Sequence, residues 1–229
     1  LTSREGRGPV SVPKSFLVSM YRNAMKLNKL ISRIIDFRKL ESGKLKLEPQ
    51  SLNLVTFCKD LTVDYEALCQ QKNIIFHFLP SRTIIRVEFD PEKMEILLSN
   101  LISNAFKYTP EGGKIVLSID ETDEKVTLVV EDNGIGIQKE FQEVIFDRFF
   151  QIENTEIFST GDGIGLSFVK HLVELHDGTI RVESELNKGA KFIVELPKKE
   201  RVDEPVSSEE GLLPHPLLFR LSIRRIPLS

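Results

Sequence analysis

Apolar positions recur with two different periods along this chain, and the change of period marks its organisation. Across residues 14–42, Leu17, Met20, Ala24, Leu27, Ile31 and Ile34 repeat in steps of three and four, the stripe of a coiled coil or helix bundle. Leu30, Ile35, Phe37 and Leu40 widen that stripe, so one long bundle helix is expected over 14–42. A single helix cannot bury such a face, so partner helices are expected. Residues 1–13, with glycines and prolines, read as a flexible lead-in. Gly43 ends the helix, and 43–50, closed by Pro49, reads as a linker.

A compact region is expected over 51–197. It opens with a helix over 54–71, followed by strands over 74–79 and 85–87. Asp90-Pro91 supplies a cap and a first helical residue for a helix running to about Tyr108. Residues 115–120 and 125–131 alternate as strands around a turn at 121–124. An irregular stretch over 138–160 leads to a helix from Ile164 to about His176, and strands over 178–185 and 190–196 close as a hairpin. These elements are grouped rather than strictly alternating. The expected class is therefore α+β: a two-layer α/β sandwich whose mixed, largely antiparallel sheet is covered by helices on one face. Residues 198–229 turn from acidic and Ser-rich to apolar and basic, a tail or linker to which the sequence assigns no role.

Charge sharpens the division. Residues 1–50 hold eleven Lys/Arg against four Asp/Glu, leaving twenty basic against thirty acidic residues in the remainder. The net charge of −3 gives no bulk attraction to nucleic acid. No apolar run approaches the roughly 18 residues of a membrane span, so a soluble, cytoplasmic chain is expected. Cys58 and Cys69, both read as lying on one helix, are about 16 Å apart along it, too far for a disulfide. They are expected as small buried residues in a reducing compartment, and no Cys/His cluster has metal-ligand spacing.

Three segments carry candidate chemistry. Asn100, Asn104 and Lys107 are spaced by four and three on one helix face, where neutral carbonyl donors and a cation suit a hydrated magnesium–phosphate group. Glu131-Asp132-Asn133-Gly134-Ile135-Gly136-Ile137 puts a carboxylate at a strand end, able to accept a hydrogen bond from an amino group. Gly161-Asp162-Gly163-Ile164-Gly165-Leu166 is a glycine loop opening a helix, where backbone N–H groups and the helix dipole favour phosphate. Taken singly, each has an ordinary reading: solvated helix residues, an Asp-Asn-Gly turn, a plain loop.

In order and spacing these segments, with Phe146-Asp147-Arg148-Phe149-Phe150 between the last two, resemble the N, G1, F and G2 boxes of sensor histidine kinases. Leu172–Ile180 and Gly189-Ala-Lys-Phe192 are similar to the family's C-terminal part, and the resemblance covers about residues 14–197. It implies ATP and Mg²⁺ as cofactors. Asn104 would coordinate the metal with Asn100 beside it, Lys107 would contact phosphate, and Tyr108 would lie near the adenine or ribose. Asp132 would accept the adenine amino group, with Gly134 and Gly136 leaving room for the ring and Ile137 following. Gly161, Gly163 and Gly165, with Ile164 and Leu166, would hold phosphates beneath a lid over 152–160 that Phe146, Phe149 and Phe150 anchor. Two departures stand out. Asp162 sits where a small hydroxyl residue is commoner, and Asn187-Lys-Gly189-Ala190 lacks the usual first Gly and Thr, a change expected to affect structure more than chemistry.

The resemblance further implies γ-phosphoryl transfer to a histidine on a hairpin helix, relay to an aspartate of a response regulator or receiver domain, and a homodimer. In full length it implies a protein anchored at the inner membrane. None of His77, His171, His176 and His215 precedes the 14–42 helix, which resembles the second helix of the dimerisation hairpin. A fragment without the first helix is expected not to autophosphorylate. The alternatives are an ATPase of the gyrase, chaperone or mismatch-repair type, and an ATP-binding module without turnover. Such ATPases carry a Glu four residues before the metal-binding Asn; here that residue is Asn100, which cannot take a proton.

Overall fold

The computed structural model describes residues 13–21, 23, 24, 27, 45–148, 150 and 163–198. They divide into two units, Leu1–Lys46 and Leu47–Ser229. In the first, residues 14–21 are helical, as are 23, 24 and 27, and Phe16, Leu17, Met20, Tyr21 and Leu27 are exposed. The remainder of the expected 14–42 helix, with Ile31 and Ile34, lies outside the described residues, as does the tail from 199 onward.

The first element of the second unit is a strand to which no expected element corresponds; only its first residue falls in the expected linker over 43–50. β1 (Gln50–Asn53) pairs antiparallel with β3 (Arg86–Phe89). Its four residues hold one apolar side chain and show no period. Its signal is instead Asn53, whose Oδ1 accepts from Val55 N and from Ile85 N, each at 3.1 Å, starting the next helix while fastening the chain beside β3. The helix expected over 54–71 is two helices, α1 (Leu54–Val63) and α2 (Glu66–Lys72). Thr62 and Val63 are β-branched and helix-poor, and Thr62 Oγ1 turns back on Lys59 O at 2.7 Å. Tyr65 then stacks on Phe106 with centroids 5.5 Å apart, a contact that sequence spacing does not reveal. Cys58 and Cys69 therefore lie on different helices; both are free and buried, and burial pushes both thiols up.

The sheet runs in the order β2 (Ile75–Pro80), β4 (Lys114–Glu121), β5 (Lys125–Asp132), β7 (Gly189–Pro197), β6 (Thr179–Glu185). The β2–β4 pair is parallel and the other three are antiparallel, so the sheet is mixed and largely antiparallel, as expected. Strand alternation puts Ile115, Leu117 and Ile119 of β4, Val126, Leu128 and Val130 of β5, and Phe192, Val194 and Leu196 of β7 on one buried face. Against it pack α3 (Pro91–Tyr108), through Leu97, Leu101, Ala105 and Phe106, and α4 (Gly165–Leu175), through Phe168, Val169, Leu172 and Val173.

Asp90 caps α3 as its position before Pro91 predicts. Oδ1 accepts from Lys93 N at 3.1 Å, and Oδ2 accepts from Glu48 N at 2.9 Å, ahead of β1. Burial pushes this carboxyl up, but the N–H groups of Glu48, Lys93 and Glu92 and the Lys93 charge outweigh it and hold the group below its usual range. A depressed carboxyl stabilises the fold at pH above its unfolded value, and that contribution is lost as pH falls through the folded one. Asp90→Ala removes the cap and strands two N–H groups, so at pH 7 it should cost about 1–3 kcal/mol of unfolding free energy. The deficit should shrink in denaturant titrations carried into strong acid, where the parent carboxyl is itself protonated.

Candidate nucleotide-binding site

α3 serves as the spine on which the three candidate segments meet. Its apolar side is turned to the sheet, which leaves Asn100, Asn104 and Lys107 together on another side of the helix. Asn100 is buried, and its amide nitrogen donates to Ile96 O at 2.6 Å. Its oxygen faces Gly165 at the start of α4, where an added Cβ would stand 3.2 Å from Oδ1. Asn104 and Lys107 are half-buried further along. Lys107 Nζ donates to the Tyr108 hydroxyl at 3.0 Å and lies 4.8 Å from that ring's centroid, which holds the cation near the C-terminal end of the helix. Lys72 Nζ, from α2, donates to Phe106 O at 2.6 Å and satisfies one of the terminal carbonyls.

At that same end α3 meets the loop after β5. Ile135 N donates to Tyr108 O at 3.3 Å, and a Cβ at Gly134 would collide with that carbonyl. Gly136 has φ +68°, and a Cβ there would collide with Glu185 O. The protein's own backbone thus demands glycine at both positions, whatever ligand occupies the site. Asn133 pins the strand end: its N–H donates to Lys114 O at 3.1 Å and its Oδ1 accepts from Lys114 N at 2.7 Å.

Asp132 ends the in-facing file Val126, Leu128, Val130, and the same alternation buries its carboxyl to 7% exposure. Burial raises its pKa to about 6. The N–H groups of Gly134, 2.8 Å from Oδ1, and of Ala190 oppose the rise, and Glu131 adds to it. No salt bridge compensates this charge among the described residues, so the carboxylate keeps acceptor capacity for a donor arriving from outside.

Ser184 and Gln142, which carry no sequence signal, and Asn187 of the hairpin turn hold this loop in place. Ser184 Oγ accepts from Ile137 N at 2.8 Å and donates to Gly189 O at 2.6 Å. Gln142 Nε2 donates to Ile137 O at 3.1 Å and to Ser184 O at 2.7 Å. Asn187 N donates to Ile135 O at 2.7 Å. The β6–β7 hairpin is thereby stitched to the loop following Asp132. Only the residues between the hairpin strands could have drawn attention to it.

Of the glycine loop, Gly163 (φ +65°), Ile164, Gly165 and Leu166 are half-buried at the head of α4. Phe149, Gly161, Asp162 and the expected lid over 152–160 lie outside the described residues. Phe146 packs edge-on against Phe192 with centroids 6.4 Å apart, and Phe150 lies 5.7 Å from Phe141. Along α3, Asn100 at the α4 contact and Tyr108 at the loop contact are about 12 Å apart. That leaves one helix face between a buried acceptor at one end and a helix N-terminus at the other.

Residues 89–200 match the family of histidine kinase-, DNA gyrase B- and HSP90-like ATPases. Over 195 residues the chain is 38% identical to histidine kinase P4 of Formosa agariphila, covering 83% of this chain and 14% of that one. It superposes on the catalytic domain of histidine kinase ThkA with TM-score 0.60 and 33% identity, covering 66% of this chain and 99% of that domain. The chain belongs to the histidine kinases. ThkA in complex with the response regulator protein TrrA is a further match, with TM-score 0.63, 26% identity and coverage of 83% of this chain and 53% of that one. This histidine kinase chain therefore spans only a small part of its curated relative. No helix among the described residues is long and apolar enough to cross a membrane.

The buried carboxylate is costly to the ligand-free fold. Because the folded pKa is raised from 3.8 to about 6, the folded state holds this proton more tightly than the unfolded chain. The penalty is absent below about pH 4, grows as pH rises to about 6, and is constant above that. Asp132→Asn keeps the acceptor for Gly134 N–H and removes the charge. It should stabilise the ligand-free domain by about 1–3 kcal/mol at pH 7. The gain should vanish at pH 3.5, and unfolding curves that coincide at pH 7 would contradict this origin of the shift.

Proposed function

We propose that this chain is the ATP-binding catalytic part of a two-component sensor histidine kinase. It transfers the ATP γ-phosphoryl group to a histidine on a hairpin helix, for relay to an aspartate of a response regulator. The observation that carries this reading is the convergence on one helix: α3 touches the Asp132 loop through Tyr108 and the head of α4 through Asn100. A nucleotide lying along that face has its base at the buried carboxylate and its phosphates at the N–H groups opening α4.

In this reading Asp132 accepts the adenine amino group, and Tyr108, beside the Asp132 loop, borders the base or ribose. Lys107, released from Tyr108, meets phosphate, and the N–H groups of Gly163, Ile164, Gly165 and Leu166 hold it, with Gly161 completing the loop. The donor set fits magnesium in a particular way. No cluster of three or more His, Cys, Asp or Glu forms a cage among the described residues, while Asn104 offers one neutral oxygen. That suits an ion keeping most of its shell as water and phosphate oxygens. When bound, Mg²⁺ neutralises phosphate charge at Asn104. Asn100 cannot activate water: it has no basic atom, and its amide nitrogen is engaged by Ile96 O. Kinase chemistry, with the acceptor brought by another helix, is therefore favoured over hydrolysis. The ThkA–TrrA complex supports a response regulator as downstream partner.

Calorimetry separates the two ends of the site. Asn104→Ala should lower Mg·ATP affinity by about tenfold or more and leave adenosine binding unchanged, whereas Asp132→Ala should weaken both. A parent chain that binds no Mg·ATP, or two variants that bind like the parent, would overturn the assignment. Supplied with a hairpin helix bearing a histidine, the chain should transfer ³²P to it as acid-labile, base-stable phosphohistidine. Water attack should run some 10²–10⁴ slower than in relatives with a general base at the Asn100 position. Hydrolysis outpacing transfer would return the ATPase reading.

A further inference from the structure

His176 sits at the end of α4 farthest from the glycine loop, where none of the roles above reaches it. The ring is buried, 7% exposed, and both nitrogens are committed. Asp90 N donates to Nε2 at 3.1 Å, and Nδ1 lies 2.7 Å from Leu172 O. A backbone N–H can only donate, so Nε2 carries no proton and Nδ1–H donates to the carbonyl. The ring is thereby fixed as one neutral tautomer. This arrangement also removes His176 as a phosphoryl acceptor, since neither nitrogen is available.

The partner of that ring is the cap of α3. Asp90 is 4% exposed and starts the helix that carries Asn100, Asn104 and Lys107. α4 thus meets α3 at two further points, a hydrogen bond from Asp90 N to His176 and a close approach of Asn100 to Gly165 that leaves little room for a side chain there. Asp90 to Asn100 spans about 15 Å of helix and Gly165 to His176 about 16 Å. The two contacts are separated by nearly equal lengths on helices that run in opposite directions, so beside the buried apolar faces they specify how far α4 slides along α3. The His176 contact supplies that specification at the end of α4 away from the glycine loop.

We propose that His176 is a positioning residue for phosphate binding: by accepting the Asp90 N–H it holds α4, and with it the glycine loop, in register with the Asn face of α3. The proposal rests on the nucleotide-site reading above but concerns only the phosphate half of that site. Asp132 stands on β5 and is held by Gly134, Ala190 and the β6–β7 hairpin, so adenine recognition is independent of this tie.

Two substitutions divide the ring's functions. His176→Asn keeps a donor for Leu172 O and loses the acceptor, while His176→Gln restores an acceptor near the Nε2 position. In this chain His176→Asn should weaken Mg·ATP binding about tenfold or more, within the losses that ångström-scale misplacement causes, and leave adenosine affinity unchanged. His176→Gln should recover most of the loss. Parallel weakening of both ligands, matching a lowered melting temperature, would make His176 a purely structural residue and overturn the proposal. So would unchanged Mg·ATP affinity in His176→Asn. The unmodified chain provides a check that needs no variant to fold: Mg·ATP should slow hydrogen exchange at the Asp90 amide and adenosine should not. Equal protection by both ligands would count against the coupling. Failure of the parent to bind Mg·ATP at all would instead remove the underlying site reading.

Discussion

The seating of α3 on the sheet sets the other distances in the site. Leu97, Leu101, Ala105 and Phe106 leave water together, and Phe106 is fixed by rings on both sides, Tyr65 at 5.5 Å and Phe76 at 6.1 Å. Burial of this apolar face is worth roughly 1.5–3 kcal/mol for each large side chain, far more than any single polar contact nearby. It therefore fixes the helix rotation, and the rotation decides which residues share the other face. The amide and cation of the site, Asn104 and Lys107, stand where the core leaves them.

The same core creates the chief electrostatic strain of the domain. A strand whose in-facing residues are Val126, Leu128 and Val130 must bury whatever follows at position 132, and here that is a carboxyl. Burial favours its neutral form, while a ligand amino group is best met by the ionised form. Two backbone N–H groups, of Gly134 and Ala190, offset part of that cost. The balance trades ligand-free stability for a dry, directed acceptor, a common relation between binding sites and stability.

What could be read from the sequence followed from periodicity and local chemistry. The alternating strands and the Asp90-Pro91 start of α3 were legible because each signal lies within a few residues, whereas the Asn, Asp and glycine segments could be read together only through their order and spacing. β1 was missed because its partner is β3, more than thirty residues away, and its own four residues show no pattern. The break between α1 and α2 has a weak local signal in the β-branched Thr62 and Val63, but the stacking of Tyr65 on Phe106 of another helix lies outside any window around residue 65. Ser184 and Gln142 look like ordinary strand and turn residues until the fold brings them to Ile137. Glycines 134 and 136 were legible as special, but the structure gives a reason other than the room for a ring read for them. The backbone carbonyls of Tyr108 and Glu185 already require them.

The β6–β7 hairpin shows how structure and chemistry become inseparable at this site. The absent Gly and Thr around Asn187 and Ala190 were expected to alter structure more than chemistry, as suits a turn taken alone. Register changes that weighting: Ala190 stands opposite Asp132 across the β5–β7 pair, and Ser184 stands opposite Ala190 across β6–β7. The Ala190 N–H stabilises the ionised Asp132, while Ser184 and Asn187 hold the loop that Asp132 begins. A shift of the turn therefore moves the donor that moderates the buried carboxylate. Ala190 has only a methyl side chain, so its own part in solvating Asp132 comes from its backbone N–H. That places the charge of the acceptor under the control of strand register, which the hydrophobic packing of Phe192 and Val194 on the same strand fixes.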